Sequence, residues 1–174
     1  MTNILCFSGG IASGKTTLSA AVAERLGISR ASFGGFVRQQ AKERGLSDTR
    51  ETLQALGETL IGEMGWEKFC AAVLAAAEWT PGSSLALDGI RHTLAFETTK
   101  RLVAPMAAKL IFVDVGRDVR QARADGAKAT DLTRADSHST EEDVHSGALR
   151  KMATVVLDGT KEIDVLVEDV LRIA

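Results

Sequence analysis

The feature that most constrains this chain is a glycine-rich octet near its N-terminus. Residues 9–16 read Gly-Gly-Ile-Ala-Ser-Gly-Lys-Thr and fit the pattern G-x-x-x-x-G-K-[ST]. The apolar run 4–7 precedes the octet, and apolar residues at helical spacing follow it from Leu18 to Leu26. A strand, a tight turn and a helix in this order predict a phosphate-binding loop, because the N–H groups of such a turn point inward at anionic oxygens.

Each residue type in this loop suits a nucleoside triphosphate. Glycines let the backbone turn tightly, while a lysine can reach the outer phosphates and a threonine hydroxyl can bind Mg²⁺. We therefore expect eight consecutive residues to bind the phosphates, with Thr16 as a Mg²⁺ ligand. They are Gly10, Ile11, Ala12, Ser13, Gly14, Lys15, Thr16 and Thr17.

Composition and charge narrow the classes of function. The 174 residues suffice for a single domain, 1–174. A composition with 45% hydrophobic and 25% charged residues is typical of globular proteins. A net charge of −2 argues against nucleic acid as a partner. Cys6 and Cys70 form no CxxC motif and suit buried thiols in a reducing compartment. Because we find neither a bilayer-spanning run nor a signal peptide, we expect a cytoplasmic protein with no membrane contact.

Strand-like runs alternate with helical patterns, which predicts an α/β fold whose parallel sheet has helices on both faces. The predicted strands are Asn3–Phe7, about Ser29–Phe33, Leu85–Asp88, Leu110–Val113 and Val155–Leu157. A helical region at about 34–80 separates the second strand from the third, and its candidate helices are Phe36–Arg44 and two apolar stripes, 53–61 and 66–77. The polar segment at about 124–139 predicts a short lid.

Asp88 ends the third predicted strand, at the sheet edge where ligands of α/β proteins bind. A carboxylate at this position can hold Mg²⁺ through its water, or orient the attacking oxygen of an acceptor. The dipeptide Asp88-Gly89 also marks turns in general, and this simpler interpretation stays open.

Several arginines follow the predicted strands. Arg38 and Arg91 come after the second and third strands, and the planar fork of either can bind an acceptor's phosphate. Four further arginines can neutralise the charge that develops in phosphoryl transfer. They are Arg117, Arg120 and Arg123, spaced by three residues, and Arg134 in the polar segment. Arg38, Arg91 and the three spaced arginines can each also be solvated surface charges.

The choice of nucleotide rests on motifs that are absent. Small GTPases use D-x-x-G and [NT]-K-x-D; Asp88-Gly89 lacks the spacing of the first, and residues 160–164 are one residue too long for the second. The sequence therefore favours ATP as the phosphate donor.

Taken together, these segments resemble the nucleoside monophosphate kinase group of P-loop proteins, the relatives of adenylate and cytidylate kinases, with dephospho-coenzyme A kinase in the wider circle. Gly9–Thr16 is similar to the group's G-x-x-G-x-G-K-[ST], with Ala12 where glycine is common. Ser32–Arg38 is similar to T-G-D-x-x-R, with Gly35 in place of the acid. Asp88–Leu94 is similar to D-G-F-P-R-T, and Leu110–Arg123 to the strand and helix that lead to a lid arginine.

The resemblance implies a three-layer P-loop NTPase fold with a five-stranded parallel sheet in the order 2-3-1-4-5, a helical acceptor-binding insertion and a short lid. It implies that Arg38, Asp88 and Arg91 bind the acceptor, and that Asp158 and Gly159 form a loop near the adenine. Its catalytic residues would be Lys15, Asp88, Arg123 and Arg134, with Thr16 and Asp88 at the magnesium ion.

The hypothesis is thus an ATP- and Mg²⁺-dependent phosphotransferase whose acceptor is a nucleoside monophosphate or deoxynucleotide, acting as a monomer or small homo-oligomer. A kinase of dephospho-coenzyme A or of another small metabolite fits the same donor site. An ATP-hydrolysing switch with a protein partner also stays open, because Gly35 replaces the usual acid. A kinase of nucleic-acid ends is disfavoured, since aromatic residues are only 5% and offer no stacking platform.

Overall fold

The computed structural model describes residues 2–124, 142–145 and 147–174, with only the backbone of Glu142 and His145. Apart from Ala124, the predicted lid at about 124–139 lies outside the described residues, and so does Arg134. Within the described ranges, no helix combines the length and the apolar character needed to cross a bilayer.

Five strands form one sheet in which every pairing is parallel. The strands are β1 (Asn3–Ser8), β2 (Ser29–Ser32), β3 (Leu85–Ile90), β4 (Ala107–Asp114) and β5 (Val155–Asp158). Their order is β2-β3-β1-β4-β5, which confirms the predicted sheet and its strand order. Because β1 is central, the loop that follows it emerges at the middle of the carboxyl edge, between the ends of β3 and β4.

Helices connect and cover the strands. They are α1 (Lys15–Leu26), α2 (Phe33–Glu43), α3 (Arg50–Ala76), α4 (Thr93–Val103), α5 (Arg117–Arg123), α6 (Glu142–His145), α7 (Ala148–Met152) and α8 (Ile163–Leu171). The two helices predicted between residues 53 and 77 follow one another directly as α3, and Gly65 with φ of 76° forms the kink between them.

The start of α2 differs from the sequence prediction in an informative way. Phe33 was expected to end β2, but it is the first residue of α2. The Ser32 hydroxyl accepts a hydrogen bond from the backbone N–H of Gly35, at 3.1 Å. This bond satisfies one of the N–H groups that a helix leaves unpaired at its start, so the chain turns into the helix at once.

Alternate residues of each strand build two cores. Ile4 and Cys6 of β1 pack into one cluster with α2, α3 and α4, whereas Leu5 and Phe7 pack into another with α1 and α8. Period-two alternation with both faces buried is what a central parallel strand requires. The side chains of β3 alternate likewise, so Asp88 shares the α1 side with Ala86.

Both cysteines are free and buried, as expected from the sequence. Burial raises the pKa of the Cys6 thiol, and it raises the pKa of the Cys70 thiol to about 11. A thiol that is both inaccessible and protonated is a poor nucleophile, because the thiolate is the reactive form.

We predict that neither thiol of the folded protein reacts with a chromogenic aromatic disulfide at pH 8, and that both react after unfolding in guanidinium chloride. Absorbance of the released thiolate counts the reacted groups. A thiol that reacts in the native protein as fast as in the unfolded chain would contradict the burial seen here.

Candidate functional site

The loop between β1 and α1 is too crowded for side chains at its first two glycines. A Cβ on Gly9, whose φ is 145°, would lie 2.5 Å from the carbonyl oxygen of Val113. A Cβ on Gly10 would lie 2.9 Å from Nη1 of Arg120. Ala12 adopts a left-handed φ of 59°, which costs about 1 kcal/mol for a residue with a Cβ. The tight turn expected from the sequence is therefore present, and its neighbours hold it on both sides.

Lys15 begins α1, and its side chain returns over the loop. Its Nζ donates to the carbonyl oxygen of Gly10 at 3.1 Å, and the residue is 8% exposed. Thr16 and Thr17 are exposed in the first turn of the same helix. The ammonium group and the N-terminus of a twelve-residue helix thus meet at one loop, which is an arrangement that attracts phosphate.

Asp88 lies on β3 directly beside Phe7 of β1, two residues before the loop begins. It is 3% exposed. Its Oδ2 accepts a hydrogen bond from Nη2 of Arg30 at 2.7 Å, whereas its Oδ1 is buried without a hydrogen-bond partner among the described residues. A buried carboxylate oxygen normally has a partner, so this one is available to a ligand.

Arg30 and Ser19 are polar residues that the sequence alone does not identify as part of the site. Arg30 lies on β2, and its Nε donates to Oγ of Ser19 on α1 at 2.9 Å. The Ser19 hydroxyl donates in turn to the carbonyl oxygen of Thr16, also at 2.9 Å. A signal existed, because an arginine inside a strand of four residues needs an anionic or hydrogen-bonding partner on its own face of the sheet.

The arginines of α5 do not form one solvated face, which corrects one interpretation of their spacing. Arg120 is 8% exposed, its Nε donates to the carbonyl oxygen of Val115 at 3.2 Å, and its guanidinium covers Gly10. Arg117 and Arg123 are exposed. Arg123 approaches the loop, since its Nη1 lies 4.0 Å from where a Cβ on Gly14 would be. A solvated face therefore fails for Arg120, and the role predicted for Arg123 stays a prediction.

The turn after β5 reaches the same loop. Gly159 donates its N–H to the carbonyl oxygen of Asp114 at 2.9 Å. A Cβ on Gly159 would lie 2.5 Å from Val115 and 3.0 Å from the carbonyl oxygen of Ser13. The neighbouring Asp158 accepts from the Thr160 hydroxyl and N–H, and these hydrogen bonds lower the pKa of its carboxyl group. The predicted adenine loop is thus next to the phosphate-binding loop.

The two arginines expected to bind an acceptor occupy different surroundings. Arg38 on α2 forms an ion pair with Asp48, with Nε 2.9 Å from Oδ1, and both side chains are more than half exposed. Arg91 follows β3 and is half-buried. Next to it, the ring of His92 lies 5.0 Å from that of Trp66 on α3. These are the positions that follow the carboxyl ends of β2 and β3, and the acceptor role of both arginines stays a prediction.

The residues at this edge fit a magnesium ion bound together with phosphate. No cluster of three or more histidine, cysteine or acidic side chains suited to a metal occurs in the described part of the chain. One carboxylate oxygen, Asp88 Oδ1, is nevertheless buried without a partner, and the Thr16 hydroxyl is exposed beside the loop. Mg²⁺ is commonly held by one or two protein oxygens with phosphate and water as its remaining ligands.

Comparison with known sequences identifies the family. The family profile described as AAA domain matches residues 8–145, which include the loop, Asp88 and α5. The chain belongs to the AAA domain family. This family member is 27% identical to a UPF0200 protein of Pyrobaculum aerophilum over 99% of this chain and 97% of that protein. It is 34% identical to a UPF0200 protein of Aeropyrum pernix over 56% of this chain, and the match spans about half of that relative, 51%.

Solved structures show the fold of this AAA domain family member. Shikimate kinase from Aquifex aeolicus superposes with a TM-score of 0.62 at 16% identity, over 97% of this chain and 94% of that one. A sugar kinase from a Janibacter species superposes with a TM-score of 0.53 at 20% identity, over 99% and 94%. These neighbours share the P-loop kinase fold, which confirms the fold and the resemblance to P-loop kinases expected from the sequence.

We predict that Gly159→Ala destabilises the protein by about 2 kcal/mol, because the added methyl overlaps Val115 and the Ser13 carbonyl. Gly116→Ala is the matched control, since a Cβ there meets nothing within 4 Å. Urea unfolding followed by circular dichroism measures both. Equal midpoints for Gly159→Ala and the wild type would show that the two loops are not in close contact.

Proposed function

We propose that this protein transfers the terminal phosphate of ATP, with Mg²⁺, to a small phosphorylated acceptor, a nucleoside monophosphate or deoxynucleotide. The observation that carries the proposal is the pairing of two features at one sheet edge. The glycine-rich loop, with the Lys15 ammonium bound to its Gly10 carbonyl, lies at the end of β1. The buried Asp88, with one unpartnered oxygen, lies beside it on β3.

The donor phosphates would be held by the backbone N–H groups of residues 10–17 and by the Lys15 ammonium. Arg123, near Gly14, would contact the outer phosphates from the side of α5. The loop is held by its neighbours and Lys15 by the Gly10 carbonyl, so their charge would need little reorganisation in the transition state. Asp158 and Gly159 would line the space for the adenine.

Thr16 and Asp88 Oδ1 would hold the magnesium ion. When bound with ATP, Mg²⁺ neutralises the charge on the phosphoryl group being transferred. A phosphate oxygen of the acceptor attacks the γ-phosphorus, the bond to the β–γ bridging oxygen breaks, and ADP leaves. This chemistry requires positioning and charge more than any covalent intermediate with the protein.

The acceptor side has features suited to a phosphate joined to a flat ring. The Arg38–Asp48 ion pair is exposed, and exposed pairs contribute only about 0–1 kcal/mol, so Arg38 can exchange its partner for a phosphate. The half-buried rings of Trp66 and His92 lie 5.0 Å apart, and His92 follows Arg91 in the sequence. Aromatic rings stack on nucleobases, which favours a nucleotide over a purely aliphatic acceptor.

We predict that Lys15→Ala lowers acceptor-dependent ADP formation by at least about a hundredfold, because charge stabilisation at one such position is typically worth that factor. Lys151→Ala, which removes an exposed lysine on α7, should leave the rate unchanged. A coupled assay that detects ADP measures both variants. Wild-type turnover by Lys15→Ala would exclude the assigned donor site.

An acceptor screen tests the rest of the proposal. Nucleoside monophosphates, deoxynucleotides, dephospho-coenzyme A, shikimate and simple sugars are each incubated with Mg·ATP, and phosphorylated products are identified by mass spectrometry. We expect a nucleoside diphosphate or deoxynucleoside diphosphate product. Phosphorylation of only a sugar or shikimate would replace the acceptor class. Slow ADP release that no acceptor stimulates, combined with a response to a protein partner, would instead favour a switch.

Fluorescence reports on the acceptor side without relying on catalysis. Trp66 and Trp79 are the two tryptophans of the chain, and the indole of Trp79 donates to the Ser83 carbonyl, in the turn before β3. In Trp79→Phe, the remaining emission comes from Trp66, so it should change when the true acceptor binds. An acceptor that is phosphorylated but leaves this emission unchanged would place its ring away from Trp66.

A further inference from the structure

A chain of three hydrogen bonds links the two residues proposed as magnesium ligands. Asp88 Oδ2 accepts from Nη2 of Arg30 at 2.7 Å, and Nε of the same guanidinium donates to Ser19 Oγ at 2.9 Å. Ser19 Oγ donates to the carbonyl oxygen of Thr16 at 2.9 Å. The chain therefore runs from β3 through β2 to the first turn of α1.

The donors and acceptors of these groups fix the direction of each hydrogen bond in this network. The serine hydroxyl has a single proton, which is used on the Thr16 carbonyl, so its oxygen is left to accept from Arg30. The guanidinium of Arg30 is planar, and two of its donor nitrogens, Nε and Nη2, bond to α1 and β3 in a fixed relative geometry. Rotation of the Asp88 carboxylate would break the bond to Nη2, so its other oxygen, Oδ1, is held in one orientation.

Burial makes this network effective. Ser19 is fully buried, the Asp88 side chain is 5% exposed, and the Arg30 side chain is 31% exposed. Water therefore competes little for Asp88 and Ser19, although it can reach part of the guanidinium. Ser19 also lies one helical turn after Thr16, so a shift of the network moves the start of α1.

We propose that Arg30 is a positioning residue that, through Ser19, fixes the Asp88 carboxylate relative to Thr16, so that both can bind the magnesium ion of one Mg-nucleotide complex. The proposal rests on the proposed function. It adds that metal binding depends on a β2 residue that touches neither metal nor nucleotide. Removing a residue that orients a metal ligand typically lowers metal affinity by about ten- to a hundredfold.

The test measures how much Mg²⁺ strengthens nucleotide binding. Isothermal calorimetry with the imido analogue of ATP, which is not hydrolysed, gives dissociation constants with Mg²⁺ and with a chelator. Their ratio is the magnesium gain. We expect Arg30→Gln to lower the gain by about tenfold, while the dissociation constant without metal stays within about twofold. Asp88→Asn should lower the gain likewise. In the Asp88→Asn background, Arg30→Gln should lower the gain little further, because both substitutions act through the Asp88 carboxylate.

Arg25→Gln is the matched control. Arg25 lies on α1 and forms an ion pair with Glu168 at 2.9 Å, but that pair is exposed and at the other end of the helix. Its removal should leave the magnesium gain unchanged. Circular dichroism verifies folding, and if Arg30→Gln does not fold, Ser19→Ala decides, because it removes only the hydroxyl that joins Arg30 to α1.

The outcomes separate this inference from the proposed function. A wild-type magnesium gain in folded Arg30→Gln overturns the inference and leaves the proposed function intact. Equal weakening of binding with and without Mg²⁺ also overturns it, since a general structural role would have that effect. If the wild-type protein binds no nucleotide under either condition, both the inference and the proposed function fail.

Discussion

The structure depends on close backbone contacts around the loop that follows β1. Gly9 lies against the Val113 carbonyl of β4, Gly10 lies under Arg120, and Gly159 lies against Ser13. Gly9 and Gly159 have no space for a Cβ, and a Cβ on Gly10 would displace the Arg120 guanidinium, so three separate parts of the chain contact one turn from different sides. A turn held this way keeps its N–H groups aimed in one direction, and the cost of ordering it is met during folding rather than on binding.

Charge is arranged differently on the two sides of this loop. Beside the loop, Asp88 is buried, and a buried carboxylate costs several kcal/mol unless it is paired, so the ion pair with Arg30 stabilises it. On the opposite side, Arg38 pairs with Asp48 in water, where the pair contributes little. The Asp88 side chain is therefore held in place, whereas a ligand of Arg38 would displace Asp48 at small cost. Such a difference suits a site that binds one constant donor and selects among acceptors.

How much the sequence predicts depends on the range of the interaction. The octet predicts its own loop because strand, turn and helix are contiguous, and alternation of strands with helices predicts the parallel sheet. The strand order came from resemblance to P-loop kinases. The Arg30–Asp88 pair joins residues 58 positions apart, and a strand of four residues has too short a pattern to reveal its register. The burial of Arg120 was missed for a related reason: a seven-residue helix with three arginines does not reveal which face meets the loop.

The balance of charge at the loop links the metal to the nucleotide. In the described part of the chain, the side chains of Lys15, Arg120 and Arg123 approach the loop, and the Asp88 carboxylate beside it is already paired with Arg30. This excess of positive charge disfavours a bare divalent cation and attracts a triphosphate. When phosphate oxygens are present, they supply the negatively charged ligands for the cation that the protein lacks. Under the proposed function, a metal ion would therefore bind together with the nucleotide rather than alone, with Asp88 Oδ1 as one of its protein ligands.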